Sequence, residues 1–266
     1  MNRRTLISIG FGLPLAIATA ALALAVAQPA HTAGPLAYPD LRMAQIPDVA
    51  INSTGSQLQL RFSATIVNVG AGPMELSASR SDAASSFGVS QRVYDTGGDS
   101  VLLPVSGATL AWGGDGHSHW HVRDLENYEL DRLDNGSKVG TGEKSGFCFF
   151  DTTQFRLTLP GAPSAQVYTP GTVCGQNNQA ATSLKMGISV GWGDRYGASL
   201  PDQYVDVTDL NSGNYRLVAT ADAGNLFTES DETNNTTWVD LKLTLNHKGK
   251  GNGGNRVSVI GYGPIP

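Results

Sequence analysis

The stretch Val239-Asp-Leu-Lys-Leu-Thr-Leu245 alternates apolar and polar residues without a break. A period of two places its four apolar side chains on one face, which predicts a half-buried β-strand. An earlier apolar run, Tyr215–Ala221, is joined to it by a connection that contains Glu229-Ser-Asp-Glu-Thr-Asn-Asn235. We interpret the two strands, Tyr215–Ala221 and Thr236–Leu245, as a hairpin of an immunoglobulin-like β-sandwich.

Short alternating runs and glycine-rich turns continue through most of the chain. Leu58–Val67 predicts another half-buried strand, Val257–Ile260 predicts an edge strand, and the Ser/Asp/Gly-rich residues 79–100 predict a surface loop. No stretch has the period of a long amphipathic helix. With 32 glycines among 266 residues, the pattern predicts an all-β fold, an immunoglobulin-like β-sandwich with long loops.

The first 27 residues have the composition of an export signal. Arg3 and Arg4 form a basic start, Thr5–Val26 is apolar, and Ala25-Val-Ala27 is a small-residue cleavage site. We predict a signal peptide at 1–27, a linker at 28–37 and a single domain at 38–266, and we expect a secreted, extracellular protein. A retained transmembrane anchor is the alternative, because the apolar run is long enough to span a bilayer.

The net charge bears on the class of partner. Cleavage after residue 27 removes two arginines and no acidic residue, so the net charge changes from −5 to −7. An acidic surface disfavours nucleic acid as a partner and mildly favours cationic substrates. We also expect no stable membrane association after cleavage.

A second stretch, Trp112-Gly-Gly-Asp-Gly-His-Ser-His-Trp-His121, carries three of the five histidines of the chain. The i, i+2, i+4 spacing places His117, His119 and His121 on one face of an extended strand, with the outer Cα atoms about 13 Å apart. Glycines nearby would permit a bend that lets the imidazoles converge. Three histidine ligands suit copper or zinc and do not suit magnesium or calcium.

Two other interpretations of this segment stay open. The histidines can belong to a polar strand that faces solvent. Alternatively, His119-x-His121 followed by Glu126 matches part of a cupin motif. The cupin motif expects a glycine where this chain has Leu133, and its later histidine could only be His247.

The chain contains two cysteines, Cys148 and Cys174. In an exported protein such a pair most simply forms one disulfide. The alternative is a pair of soft metal ligands, but neither cysteine has a histidine or another cysteine nearby in the sequence.

Several motifs occur in the same order as in the catalytic domain of lysyl oxidases. Two of them are the histidine segment and Lys144 before Phe147-Cys148. One match precedes them, Leu60-Arg61-Phe62 with Asn68-x-Gly70. The matches that follow are Asp194-x-Tyr196-Gly197-Ala198, Gln203-Tyr-Val-Asp-Val-Thr-Asp209, Gly213-Asn214-Tyr215 and Glu229-Ser-Asp-x-Thr-Asn-Asn235. The chain therefore resembles the lysyl oxidase family from about Asp40 to Leu245. It departs from the animal members at Gly116, where they have a cysteine, and in having at most one disulfide.

The resemblance implies a secreted copper-dependent amine oxidase. Copper would bind His117, His119 and His121, and a lysine tyrosylquinone would form from Lys144 and Tyr196. The enzyme would convert primary amines, peptidyl lysine or small amines, to aldehydes with O₂, and release hydrogen peroxide and ammonia. Without the resemblance, Lys144 is simply a surface cation and Tyr196 a turn tyrosine.

The base that removes the α-proton should be a carboxylate with a raised pKa. Asp194 is the first candidate for this catalytic role, and Asp151 and Asp115 are the others. Asp206, in another of the matching motifs, can instead be structural.

The resemblance also implies a structural calcium site. Glu229, Asp231, Asn234 and Asn235 offer hard oxygen ligands, and Asp40 with the carbonyl of Leu41 would complete the shell. On composition alone the segment 229–235 is an ordinary polar hairpin loop. The alternative function for the whole chain is a non-catalytic, secreted copper-binding immunoglobulin-like module.

Overall fold

The computed structural model describes residues 34–113, 117–246 and 254–266. The predicted signal peptide, the candidate base Asp115 and His247 lie outside the described residues. The described strands are β1 (Leu36–Ala37), β2 (Leu41–Met43), β3 (Val49–Thr54), β4 (Gln57–Phe62), β5 (Ala64–Asn68), β6 (Met74–Ser79), β7 (Gly88–Asp95), β8 (Ser100–Pro104), β9 (Leu110–Trp112), β10 (Trp120–Arg123), β11 (Glu126–Arg132), β12 (Lys138–Thr141), β13 (Gly146–Phe147), β14 (Thr153–Gln154), β15 (Ser183–Ile188), β16 (Trp192–Tyr196), β17 (Tyr204–Asp206), β18 (Gly213–Ala221), β19 (Thr236–Thr244) and β20 (Arg256–Tyr262).

These strands form antiparallel sheets, and the described residues contain no helix. One of the two five-stranded sheets has the order β12-β11-β18-β19-β20. Its central hairpin pairs β18 with β19, and β20 lies at its edge beside β19. The all-β class, the hairpin and the edge strand are confirmed.

A second layer packs against this sheet. It contains the sheets β14-β16-β5-β2 and β17-β4-β3. Strand β2 lies against β18 and β19, and β3 lies against β20. Phe62 of β4 meets Tyr128 of β11 edge to face, with ring centroids 4.9 Å apart. The inward residues of both layers form one buried apolar core, as in a sandwich.

The predicted strand Leu58–Val67 is divided in two at Ser63. The backbone N–H and the hydroxyl of Ser63 both donate to the Asp48 carboxylate, at 2.7 and 3.0 Å. These bonds hold the chain where it changes partners, since β4 pairs with β3 and β17 whereas β5 pairs with β2 and β16. A hydrophobic period continues across such a change of sheet, so the pattern alone does not show it.

The prediction of a surface loop over residues 79–100 is wrong, because β7 occupies much of it. Val89, Gln91, Val93 and Asp95 all point inward along this strand. Because two of these inward residues, Gln91 and Asp95, are polar, the sequence shows no alternation of apolar and polar residues. The Gln91 side-chain amide forms hydrogen bonds of 2.7 and 2.8 Å with the backbone of Thr228 instead of facing water. Buried polar residues with backbone partners are compatible with a core position.

The prediction of one extended strand through the three histidines is also wrong. Only His121 lies in a strand, β10, whereas His117 and His119 lie in a turn before it.

The predicted linker contains a short strand, because its residues Leu36 and Ala37 pair with β7. None of the described residues belongs to a helix with the length and apolar character needed to cross a membrane.

Candidate active site

The turn brings the three histidines together. One ring nitrogen from each of His117, His119 and His121 lies within 4.8 Å of the other two. The Nε2 atoms of His119 and His121 are 2.9 Å apart. His121 is buried and the other two are partly exposed, so the cluster has one interior wall and one side open to solvent.

Backbone hydrogen bonds fix the histidine turn from two sides. The N–H of Gly113 donates to the carbonyl of His119, and the N–H of Trp120 donates to the carbonyl of Cys174, both at 2.9 Å. The N–H of Asn177 donates to the carbonyl of Ser118 at 2.7 Å. Each histidine therefore has a neighbour whose backbone is anchored.

Trp120 alternates with the histidines and points the other way. Its ring meets Phe87 and Trp112 edge to face, with centroids 5.0 and 5.7 Å away. The Arg80 guanidinium lies over the same ring at 4.8 Å. This aromatic packing holds the strand while His119 and His121 face the site.

Strand β13 brings a second segment to His121. Arg123 and Val122 of β10 pair with Gly146 and Phe147. Any Cβ at position 146 would stand 3.1 Å from the His121 ring. Glycine thus permits the close approach of the two strands, and Lys144 enters the site two residues before it.

Lys144 and Tyr196 lie together in the interior. The Lys144 Nζ is 5.3 Å from the ring centroid of Tyr196 and 5.3 Å from that of Phe147. The Phe147 and Tyr196 rings meet edge to face at 5.1 Å. Both Lys144 and Tyr196 are buried, so the surface lysine and turn tyrosine of the alternative interpretation do not describe them.

The disulfide between Cys148 and Cys174 is confirmed, with Cα atoms 5.9 Å apart. It closes a loop between residues separated by 26 positions, and a loop of that size stabilises the fold by about 3.5 kcal/mol in the chain-entropy account. The Tyr196 hydroxyl donates to the carbonyl of Cys148 at 3.0 Å. Since the Cys174 carbonyl holds Trp120, the bridge joins the tyrosine side of the site to the histidine side.

Asp194 is the buried carboxyl beside Tyr196. Burial raises its pKa to about 7, although contacts with the Tyr196 hydroxyl, Thr152 and the backbone of Phe150 oppose the increase. Its Oδ2 has no hydrogen-bond partner among the described residues. A carboxyl of this kind can exchange a proton near neutral pH.

Two other acidic residues that the sequence singled out, Asp151 and Asp206, have structural roles. The carboxyl of Asp151 is fully buried and accepts hydrogen bonds from the backbone of Val167 and Tyr168 and from both the N–H and the hydroxyl of Ser189. Asp206 accepts from Gln57 and from Thr208, as the structural interpretation expects. Of the candidates that the structure describes, Asp194 alone adjoins the lysine and tyrosine.

A second buried carboxyl, Glu126, enters this interior and was not predicted for this site. It accepts a hydrogen bond from the Tyr128 hydroxyl, and burial raises its pKa to about 8, with a further increase from the charge of Asp194. The fully buried amide of Gln203 lies near Tyr128. The available signal was the period of β11, in which Glu126 takes an inward position like Tyr128 and Leu130.

A small cavity of about 50 Å³ opens beside Lys144. It is lined by Gly113, His121, Arg123, Glu143, Lys144, Ser145, Gly146 and Asp202. Asp202 has a positive φ of 59°, and its carbonyl accepts from Tyr204, whose own carbonyl accepts from Glu143. The two acidic residues thus belong to neighbouring, mutually anchored segments at the cavity.

The residues predicted to bind calcium are also brought together. Leu41 N–H donates to Oε2 of Glu229, and Asn235 Nδ2 donates to Oε1 of the same carboxylate at 2.8 Å. The N–H of Ser230 donates to the carbonyl of Pro39 at 2.8 Å. The start of the domain is therefore bonded directly to the loop between β18 and β19.

The remaining predicted calcium ligands differ in their surroundings. Asp40 pairs with Arg42 at 3.1 Å, and the exposed Asp231 accepts from the backbone and hydroxyl of Thr233. The buried amide atoms of Asn234 make no hydrogen bond within the described ranges. Asp222 and Glu232, which were not predicted, place carboxylate oxygens within 4.8 Å of Glu229.

Comparisons with known proteins agree with this arrangement. The family model described as lysyl oxidase matches residues 77–249. Protein-lysine 6-oxidase of Homo sapiens is 31% identical over 135 residues, which are 49% of this chain and 28% of that protein. Lysyl oxidase homolog 1 of Homo sapiens is 31% identical over 132 residues, or 48% of this chain and 20% of that protein.

Protein-lysine 6-oxidase of Sus scrofa is 29% identical over 135 residues, 49% of this chain and 46% of that protein. The matched segment therefore spans less than half the length of these relatives. The family match itself covers well over half of this chain and includes the histidine turn, Lys144, both cysteines and Tyr196. On this evidence the chain belongs to the lysyl oxidase family.

Proposed function

We propose that this protein is a copper- and quinone-dependent amine oxidase that converts a primary amine, O₂ and water to an aldehyde, hydrogen peroxide and ammonia. The observation that carries the proposal is the burial of Lys144 beside the Tyr196 ring, at 5.3 Å. The strand pair β10–β13 links this pair to His121 of the histidine cluster. Family membership supplies the reaction class.

The histidine cluster fits a copper ion. Two nitrogen ligands that lie about 2.0–2.1 Å from a shared ion, at a right angle to each other, stand about 2.9 Å apart. The Nε2 atoms of His119 and His121 have this separation. Neutral imidazoles are good ligands for Cu(II), and His117, His119 and His121 would hold the ion.

The Lys144–Tyr196 pair fits a lysine tyrosylquinone. A quinone of this type supplies an electrophilic carbonyl for a primary amine and accepts two electrons from it. The chain itself holds the two precursor side chains buried in its interior. The Cys148 carbonyl orients the tyrosine through its hydroxyl.

Asp194 serves in this proposal as the base for the substrate α-proton. The pKa of about 7 lets its carboxyl be ionised and accept a proton near neutral pH. Its contact with the Tyr196 hydroxyl places it at the side chain that would carry the quinone. The assignment as catalytic residues thus covers Lys144, Tyr196 and Asp194.

The substrate is a primary amine, and lysine side chains of extracellular proteins fit as well as small diffusible amines. Glu143 and Asp202 at the cavity attract a cationic amine, and the narrow cavity favours an unbranched aminoalkyl group. Secretion agrees with the disulfide, since such bonds persist in oxidising surroundings. O₂ is the second substrate.

We assign a structural role to calcium at Asp40, the Leu41 carbonyl, Glu229, Asp231, Asn234 and Asn235. The unpartnered Asn234 amide and the buried Glu229 carboxylate support the assignment. Oxygen ligands of this kind suit Ca²⁺. The ion would reinforce the direct bonds between Leu41 and the loop.

A peroxide-release assay on copper-loaded protein tests the function. The panel contains small primary amines, diamines and a lysine-rich polypeptide, and we expect amine-dependent peroxide with equimolar aldehyde. Tyr196→Phe is the matched control, because it removes only the hydroxyl and should abolish turnover while copper content stays at one per chain. Copper bound by wild type without peroxide from any amine would identify a non-catalytic copper-binding module instead.

A further inference from the structure

Three polar groups in the interior behind Tyr196 lack hydrogen-bond partners among the described residues. They are the Oε1 atom of Glu126, the Oδ2 atom of Asp194 and both side-chain amide atoms of Gln203. All three residues are at least nine-tenths buried. Leaving a buried polar atom unpaired costs about 1–3 kcal/mol, so three such groups in one place indicate a function that the fold sustains.

The groups belong to one continuous cluster. The Phe147 ring contacts two tyrosines, with its centroid 5.1 Å from that of Tyr196 and 6.4 Å from that of Tyr128. Tyr128 donates its hydroxyl proton to Glu126, whereas Tyr196 contacts Asp194. The tyrosines of the two tyrosine–carboxyl pairs therefore contact the same ring.

The charges inside this cluster do not balance if every group is ionised. Glu126 and Asp194 would contribute two negative charges and Lys144 one positive charge, while Tyr128, Tyr196 and Gln203 are neutral. Two like charges in a water-excluded interior are unfavourable, and such pairs of carboxyl groups retain a proton. The charge of each carboxyl affects the other, since Asp194 adds to the raised pKa of Glu126.

We propose that Glu126 is a positioning residue for the amine-oxidase site, in which it shares one proton with Asp194 and so determines the charge that Asp194 presents to Tyr196. With the shared proton on Glu126, Asp194 is ionised and able to accept the substrate proton. The role of the pair in turnover rests on the proposed function, but the proton sharing does not.

The test is a titration of side-chain carboxyl ¹³C shifts in metal-free protein between pH 4 and 10. We expect the signals of Glu126 and Asp194 each to show two inflections, as coupled sites do. In Asp194→Asn, the upper midpoint of Glu126 should fall by about one pH unit, the size of coupling at which two sites titrate together. In Glu126→Gln, Asp194 should titrate in a single step.

Glu75→Gln is the matched control. Glu75 is also buried and accepts hydrogen bonds from two tyrosines, Tyr94 at 3.1 Å and Tyr168 at 2.8 Å, but it lies in β6 outside this cluster. This change should leave both titrations as in wild type. Single, independent titrations of Glu126 and Asp194 in wild type, unmoved by either substitution, would overturn the proposal.

Tyr128→Phe provides a second variant that keeps the ring and removes only the hydrogen bond to Glu126. Because that bond lowers the pKa of Glu126, its loss should move the Glu126 midpoint upward, and an unchanged midpoint counts against the pair. In turnover, Glu126→Gln should remove the upper inflection of the pH profile of kcat/KM. Protein that oxidises no amine but shows the coupled titration would refute the proposed function and leave the proton sharing intact.

Discussion

At the scale of single residues, the proposed chemistry depends on Lys144 and Tyr196, which are buried side by side. Their proximity results from two separate constraints: β10–β13 pairing carries Lys144 inward, and the Tyr196 hydroxyl is bound by the Cys148 carbonyl. Neither residue is unusual in the sequence. The structure brings them together in the interior, with the Lys144 Nζ 5.3 Å from the centroid of the Tyr196 ring.

A covalent link between Lys144 and Tyr196 is expected after aerobic copper loading. Peptide mass spectrometry of wild type should show the two peptides joined, and Lys144→Arg should abolish the joined species because a guanidinium does not add to the ring as an amine does. Lys185→Arg is the matched control, since Lys185 also lies over a tyrosine ring, that of Tyr168, at 5.7 Å. Active enzyme with separate peptides would contradict the assignment.

Residue identity could be predicted for part of the site and not for the rest. The histidine spacing indicated a metal, and the family resemblance indicated Lys144 and Tyr196. Glu126 was not predicted for this site, because a glutamate on an alternating strand ordinarily faces solvent. In β11 it instead occupies one of the positions that point into the core. Sequence also left three candidate bases, and only the hydrogen bonds of Asp151 show that its carboxyl is committed to backbone groups.

At the scale of elements, the loop between β18 and β19 connects two ends of the domain. Within this loop, the Glu229 carboxylate accepts a hydrogen bond from the N–H of Leu41, and the N–H of Ser230 donates one to the carbonyl of Pro39. The sequence pattern predicted the hairpin, and the family resemblance implied the approach of Asp40 and Leu41 to its loop. It did not predict Asp222 and Glu232 beside Glu229, because Asp222 follows a strand and is used to cap the backbone of Leu226 and Phe227.

Calcium should raise the melting temperature of the protein by several degrees, because an ion that binds only the folded state stabilises it by mass action. Asp231→Ala should remove most of this increase and leave copper content unchanged. Asp82→Ala is the matched control, since Asp82 is likewise an exposed aspartate that accepts backbone hydrogen bonds in a turn. A wild-type melting curve that responds to neither calcium nor a chelator would leave the loop as a polar turn.

Strand boundaries were predicted less well than strand existence. The alternation of Leu58–Val67 was real, but the exchange of partners at Ser63 depends on Asp48, which is distant in the sequence. The histidine segment was expected to be extended, and the hydrogen bonds from Gly113 and Asn177 make it a turn. Both differences come from contacts between segments, which local periodicity does not contain.

At the scale of the whole molecule, four buried carboxyl groups share one electrostatic property. Burial raises the pKa of each, to about 8 for Glu126 and Glu229, about 7 for Asp194 and about 6 for Asp222. The folded state therefore binds protons that the unfolded state releases above its ordinary carboxyl pKa values. Stability conferred by these protons is fully present below about pH 4 and is lost as the pH rises through 6 to 8.

The free energy of unfolding of metal-free protein should fall between pH 5 and pH 9 by at least about 1.4 kcal/mol, the equivalent of one pKa unit on one group. Urea unfolding at pH 5, 7 and 9 measures it. Glu126→Gln should make the decrease smaller, because an amide does not ionise. Equal stability at the three pH values would show that these carboxyl groups are not held protonated by the fold.

Under the proposed function, the Cys148–Cys174 bridge sets the order of two maturation steps. The carbonyl of Cys148 accepts a hydrogen bond from Tyr196, and the carbonyl of Cys174 accepts one from Trp120, which lies between His119 and His121. Without the disulfide, the two halves of the site would lack this cross-link, and the Cys148 carbonyl that binds Tyr196 would be less firmly held. Under the proposed function, thiol oxidation would act as a checkpoint on maturation: the conversion of Tyr196 to a cofactor would be reserved for chains that have left the reducing compartment in which they were made.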